Sequence, residues 1–195
     1  MKKRLMALAL AAALLFVAGC GNSSSQGQTP STPEATKTAG IPKEKIKVGF
    51  VYIGVPGDEG YTYAQDQGRK ALESQLGVKT VTVENVPESS EVETAIRNLI
   101  DGGANVIFAT SFGYMEYVAD LAKQFPNVYF FHCSGSLTDK NLSTYFGKIE
   151  NPRYLSGIAA GLKTQTNKIG YVAAMPIPEV IRCLRYPPHP GFLRN

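Results

Sequence analysis

The sequence predicts an α/β fold: a three-layer parallel sheet with helices on both faces. Two observations lead there. Runs rich in Val, Ile and aromatics alternate with amphipathic segments in units of roughly 25 to 35 residues, as parallel strands joined by right-handed crossover helices require. Several of these runs are apolar throughout rather than at every second residue, the mark of strands buried on both faces.

In chain order, residues 1–19 stand outside the fold. Lys2, Lys3 and Arg4 make a basic start, and Leu5 to Ala18 is apolar. That run is short of the roughly 20 residues a spanning helix needs. Val17-Ala18-Gly19-Cys20 resembles the lipobox of a bacterial lipoprotein signal peptide. The resemblance implies cleavage before Cys20, lipidation of its sulfur, and a cell-membrane protein anchored in the bilayer, facing the outside or the periplasm. An ordinary secretory signal with a chance cysteine is the alternative. The segment carries three positive charges and no negative one, so the formal net charge falls from +4 to +1 without it. The basic balance therefore gives no ground for a nucleic-acid partner. Residues 20–42 are rich in Ser, Thr, Gln, Gly and Pro and have no aromatics. Such a stretch cannot bury enough apolar surface to order itself and reads as a flexible tether.

The folded part is expected over 43–166, one α/β lobe, with 167–182 opening a second lobe. Ile46 to Leu76 organises it: a strand (IKVGFVYI), a turn (GVPGDEG) and a helix (YTYAQDQGRKALESQL). The turn spacing Gly54-x-x-Gly57-x-x-Gly60 is not a dinucleotide fingerprint. Asp58 and Glu59 at the helix start would repel a phosphate there. Asp58 is either a helix cap or a ligand contact. Lys79 to Val86 reads as a second strand, and Ser90-Glu91-Val92-Glu93 has capping-box spacing. The helix that follows places Val92, Ile96, Leu99 and Ile100 on one face and stops at Asp101-Gly102-Gly103. Asn105 to Ser111, Val128 to Cys133 and Leu142 to Lys148 read as further strands. Tyr114 to Phe125 and Pro152 to about Thr166 read as helices. Asn167 to Ala174 is expected to be a strand of the second lobe, followed by a helix from Pro178. Glu88, Glu91 and Glu93 read as a solvated helix face.

The carboxyl ends of parallel strands share one edge, where ligands of open α/β sheets bind. The sets predicted there are Asp58 to Tyr63 (with Gly60 and Tyr61), Thr110 to Tyr114 (with Ser111 and Phe112), His132 to Gly135, Tyr145-Phe146, and Met175 to Ile177 (with Pro176). Flat aromatic faces and hydroxyls suit a planar, polar-edged, neutral ligand. His132 and Cys133 are adjacent on a strand and point to opposite faces, which argues against a metal site, and Cys133 reads as a buried small residue. No cofactor, metal or catalytic constellation is expected.

The runs KVGFVYIGVPGDEGYTYAQDQGRKALE, TSFGYM, TYFGKIENPRYLSGIAAG and KIGYVAAMPIPEVIR resemble the BMP (basic membrane protein, PnrA-like) family of ABC-transporter substrate-binding lipoproteins, across Ile46 to Arg182. The resemblance implies a type I periplasmic-binding-protein fold and capture of a purine nucleoside or purine base for ABC permease subunits. It implies that Tyr61 stacks on the base, that Asp58 is the acidic loop residue, and that Ser111 and Phe112 form the second wall. Pro176 and Ile177 match the start of the far lobe. A sugar receptor of the same fold, and a nucleoside-processing enzyme using Asp58 as base, are the alternatives. Residues 183–195 depart from the family pattern, with Pro187, Pro188 and Pro190 barring a helix. The expectation is a truncated or frameshifted copy whose single lobe binds purines weakly and is marginally stable.

Overall fold

The computed structural model describes residues 40–185. Cys20, the signal segment, nearly all of the tether and the end of the tail lie outside the described residues. Five strands form one sheet: β1 (Lys47–Val51), β2 (Lys79–Val83), β3 (Val106–Ala109), β4 (Tyr129–Cys133) and β5 (Leu142–Tyr145). Their order is β2-β1-β3-β4-β5, and every neighbouring pair is parallel. The helices are α1 (Tyr61–Leu76), α2 (Glu91–Asp101), α3 (Met115–Gln124), α4 (Glu150–Lys163) and α5 (Pro178–Arg185).

Strand alternation divides the interior into two cores. On one face Val48, Phe50 and Tyr52 pack with Val78 and with Leu72 of α1. On the other, Val51, Ile107 and Phe130 meet Val92, Ile96 and Leu99 of α2 and Val118, Leu121 and Ala122 of α3. The predicted helix faces thus become the buried ones. On the α1 side the rings of Phe50, Phe108 and Phe131 stack across three strands at centroid spacings of 4.8 and 4.9 Å.

A buried carboxylate docks α1 on the sheet. Asp66 is 3% exposed and accepts from Arg69 Nε at 2.6 Å, from Lys70 Nζ at 2.9 Å and from the Tyr52 hydroxyl at 3.3 Å. Burial alone would raise its pKa, but the hydrogen bonds and charges of Arg69 and Lys70 outweigh burial and lower it. Arg69 also donates to Thr80 of β2 at 2.9 Å, so one ion pair ties the helix to two strands.

Two sequence expectations are corrected here. The capping box at Ser90 does not form. Ser90 already has helical angles (φ −60°, ψ −12°) and makes no side-chain cap, whereas a capping residue needs an extended backbone. Ser89 takes the role: its Oγ accepts the Glu91 N–H at 3.3 Å. Residues 167–174 form no strand. A strand's backbone groups need a neighbour, and none of the described strands pairs with this segment. Val172 there is 97% exposed, and Leu162 of α4 is 81% exposed.

Asp66→Ala is expected to destabilise the chain by about 3 kcal/mol, because Arg69 and Lys70 lose their buried partner. Tyr52→Phe, which leaves the ion pair intact, should cost about 1 kcal/mol. Urea denaturation of the two variants against the parent checks both, and equal losses would contradict the assigned role.

Candidate functional site

The helix after β1 goes to one face of the sheet, and those after β2 and β3 go to the other. The crevice between the ends of β1 and β3 is therefore the topological switch point. Buried Thr110 joins the two strand ends by donating its hydroxyl to the Val51 carbonyl at 2.8 Å.

The loop after β1 makes a 3-10 turn at Pro56–Asp58 and then enters α1. Asp58 Oδ1 accepts the Gly60 N–H at 2.8 Å. Asp58 thus fixes the loop at the helix entry; α1 itself has no side-chain cap. Asp58, Gly60, Tyr61 and Tyr63 are all exposed, Tyr61 by 43%. The hydroxyl end of Tyr61 is held inside, donating to Cys133 Sγ at 3.2 Å. One helical turn on, Gln65 Nε2 donates to the same sulfur at 3.4 Å, and its Oε1 accepts the Tyr145 hydroxyl at 3.1 Å. Tyr145 also sets its ring edge-on to Phe108, with centroids 5.7 Å apart. Burial pushes the Tyr61 and Tyr145 hydroxyls and the Cys133 thiol above their ordinary pKa values, so all three stay protonated at neutral pH.

A second network lies across the sheet. Ser111 donates its hydroxyl to Glu88 Oε1 at 2.6 Å, and the Gly113 N–H donates to the same oxygen at 2.8 Å. Phe112 between them is half-buried. His132 is 1% exposed, with Nε2 2.7 Å from the Ser111 carbonyl. It stands beneath the rim and supports it. Gly135 closes over the imidazole: a Cβ there would fall 1.9 Å from His132 Nδ1, so only glycine fits. Burial lowers the His132 pKa, so the ring is neutral.

Pro176 is exposed and Ile177 half-buried at the entry to α5, where the Ile177 carbonyl accepts the N–H groups of Val180 and Ile181. Glu179 is 8% exposed and accepts the Ser134 hydroxyl, bringing α5 to the carboxyl edge. The structure therefore gathers Asp58, Gly60 and Tyr61 on one loop and joins Tyr61 to Tyr145 through Gln65 and Cys133. It also joins Ser111 to His132. Gln65, Glu88 and Glu179 are the members that sequence reasoning missed; Cys133, expected at this edge as a buried small residue, is buried and also accepts hydrogen bonds. Gln65 was findable, since it lies four residues after Tyr61 and shares its helix face.

A family described as ABC transporter substrate-binding protein, PnrA-like, matches residues 45–185. A purine-binding protein of Brucella abortus is 43% identical over 142 residues, covering 72% of this chain and 41% of that protein. A putative ABC-transporter glucose-binding protein of Haloferax volcanii is 37% identical over 159 residues, covering 81% and 41%. The chain thus spans about two fifths of the length of these relatives. Among solved structures, a transcriptional activator of the comK gene from Bacillus halodurans aligns with a TM-score of 0.54 at 28% identity, covering 70% of this chain and 47% of that one. An ABC-transporter solute-binding protein from Conexibacter woesei aligns with a TM-score of 0.51 at 18% identity, covering 60% and 40%, a likeness of fold.

The buried imidazole predicts a pH dependence. Below the ordinary histidine value of 6.5 the unfolded chain takes up a proton that folded His132 refuses. Its contribution to stability is present above pH 6.5 and is lost as pH falls from there toward its lowered folded value. The slope is at most about 1.4 kcal/mol per pH unit. Urea midpoints at descending pH should show this loss, and His132→Gln should flatten it. The same slope in the variant would assign the effect elsewhere.

Proposed function

The chain belongs to the PnrA-like family of ABC-transporter substrate-binding proteins, and from that premise we propose that it captures a purine nucleoside or purine base outside the cytoplasm for an ABC permease. Residues 43–166 supply the near wall of the site, and 167–182 begin the far lobe. The single observation that carries this reading is Tyr61: an aromatic at the switch point, 43% exposed, whose hydroxyl is pinned on Cys133. Its ring is thereby pre-set for stacking, which lowers the ordering cost of binding. Asp58 beside it favours a ligand that donates hydrogen bonds and carries no negative charge. The role is one of binding rather than chemistry. Protonated tyrosines, a protonated thiol and a neutral imidazole held beneath the rim form hydrogen-bonding walls without an activated nucleophile. A sugar is the second reading, favoured by the likeness to the glucose-binding relative.

Base–aromatic stacking is worth about 1–3 kcal/mol per base. Tyr61→Ala should therefore weaken purine binding by about tenfold to a hundredfold. Calorimetric titration of adenine, adenosine, guanosine, inosine and glucose into the parent and the variant checks this. An unchanged purine affinity would remove Tyr61 from the site, and saturable binding of glucose alone would favour the sugar reading.

The anchor is a separate proposal, resting on Val17-Ala18-Gly19-Cys20. Among the described residues no helix is long and apolar enough to cross a membrane. A lipid on Cys20 would instead tie the tethered domain to the bilayer. Metabolic labelling with a fatty-acid analogue should mark the parent and not Cys20→Ala; equal labelling would refute it.

A further inference from the structure

We infer that Glu88 is a specificity-determining residue: a built-in anion that occupies the hydrogen-bond donors of the second wall and so excludes phosphate-bearing ligands. The inference rests on the reading of this edge as a ligand site. A hydroxyl has one proton to give, and Ser111 gives it to Glu88 Oε1 at 2.6 Å. The Gly113 N–H, two residues on, converges on the same oxygen at 2.8 Å. Two donors aimed at one point make an anion site, and a carboxylate of the chain itself fills it.

The arrangement is constructed rather than incidental. Glu88 lies on the loop between β2 and α2, and the Tyr114 hydroxyl ties that loop to the same wall by donating to the buried Val86 carbonyl. Ser89, the next residue, holds the start of α2. A Cβ at Gly113 would lie 2.4 Å from Glu88 Cδ, so the approach needs glycine. His132 backs the wall from below through the Ser111 carbonyl. With its donors taken, Ser111 can only accept from a ligand. The carboxylate adds a like charge against any anion, in the same sense as Asp58 on the facing loop. A neutral ligand rich in N–H and O–H groups fits, and its phosphorylated form does not.

The test titrates adenosine, adenosine 5′-monophosphate and inorganic phosphate into the whole chain and into Glu88→Ala and Glu88→Gln. In the parent, adenosine should bind and the monophosphate should bind at least about tenfold more weakly. Glu88→Ala frees both donors, so the preference for adenosine should shrink by about tenfold or more and phosphate should begin to bind. Glu88→Gln keeps an acceptor on the donors while removing the charge, so it should shrink the preference less. A preference unmoved in both variants would overturn the inference. If the Ala variant does not fold, the Gln variant alone decides in the same sense. If the parent binds no purine, the purine reading fails separately. Phosphate binding gained by Glu88→Ala would then still uphold the role of Glu88, and its absence would overturn it.

Discussion

Every strand pairing in this sheet is parallel, and that constraint governs the rest. A parallel neighbour cannot be reached by a tight turn, so the chain crosses over through helices between β1 and β2, β2 and β3, and β3 and β4, which cover both faces of the central strands. All strands then release their loops at one edge, which is why residues far apart in sequence meet there. The connection from β4 to β5 has no helix, and it is held by other means. The Asn141 side chain donates to the carbonyls of Ala122, Phe125 and Val128, fastening the start of β5 to the end of α3. Without such a clamp a short parallel return would leave its backbone groups unpaired.

The alternation of side chains along a strand splits the rim into two halves of different character. Cys133 faces α1 and receives Tyr61 and Gln65. His132, one residue earlier, faces the other side and receives the Ser111 loop. Neighbouring residues of β4 therefore support opposite walls of the crevice. A one-residue slip of β4 would exchange them and dismantle both networks. The Cys133 half is joined by the neutral side chains of Tyr61, Gln65 and Tyr145, whereas the Ser111 half is joined through the Glu88 carboxylate.

What was legible in the sequence follows the range of the interaction. The helix Tyr61–Leu76 was read to the residue, because its signals are local: glycines before it, a glycine after it, and an unbroken run of helix formers between. The paired cores were legible from periodicity. The cap at Ser89 was not, since Ser89 and Ser90 are equivalent to any spacing rule and only the backbone angles decide between them. Glu88 is exposed, as a solvated charge would be, but it lies on a loop rather than a helix face, and its partners, 23 and 25 residues away, were beyond any local signal. Glu179 was invisible for the same reason, since its donor Ser134 comes from another element; Asp66 has its ion-pair partners on its own helix, and only its burial against Tyr52 lay beyond spacing rules.

Residues 167–177 show how far a local signal can be overruled. Asn167 to Ala174 has strand composition, with Ile169, Tyr171 and Val172 at β-favouring positions, yet among the described residues it pairs with no strand and Val172 stands 97% exposed. β propensity measures fit to a pleated, half-buried surface rather than a backbone preference, so it vanishes where no neighbouring strand is offered. The helix that follows is placed by contacts instead. Glu179 receives the Ser134 hydroxyl, and Arg182 lies 3.6 Å from Glu150 of α4. A carboxylate as buried as Glu179 needs a hydrogen-bond donor, and Ser134, just after β4, supplies it. The segment carrying Pro176 and Ile177 is thus brought to the carboxyl edge by a polar contact three residues beyond Pro176, not by a strand of its own.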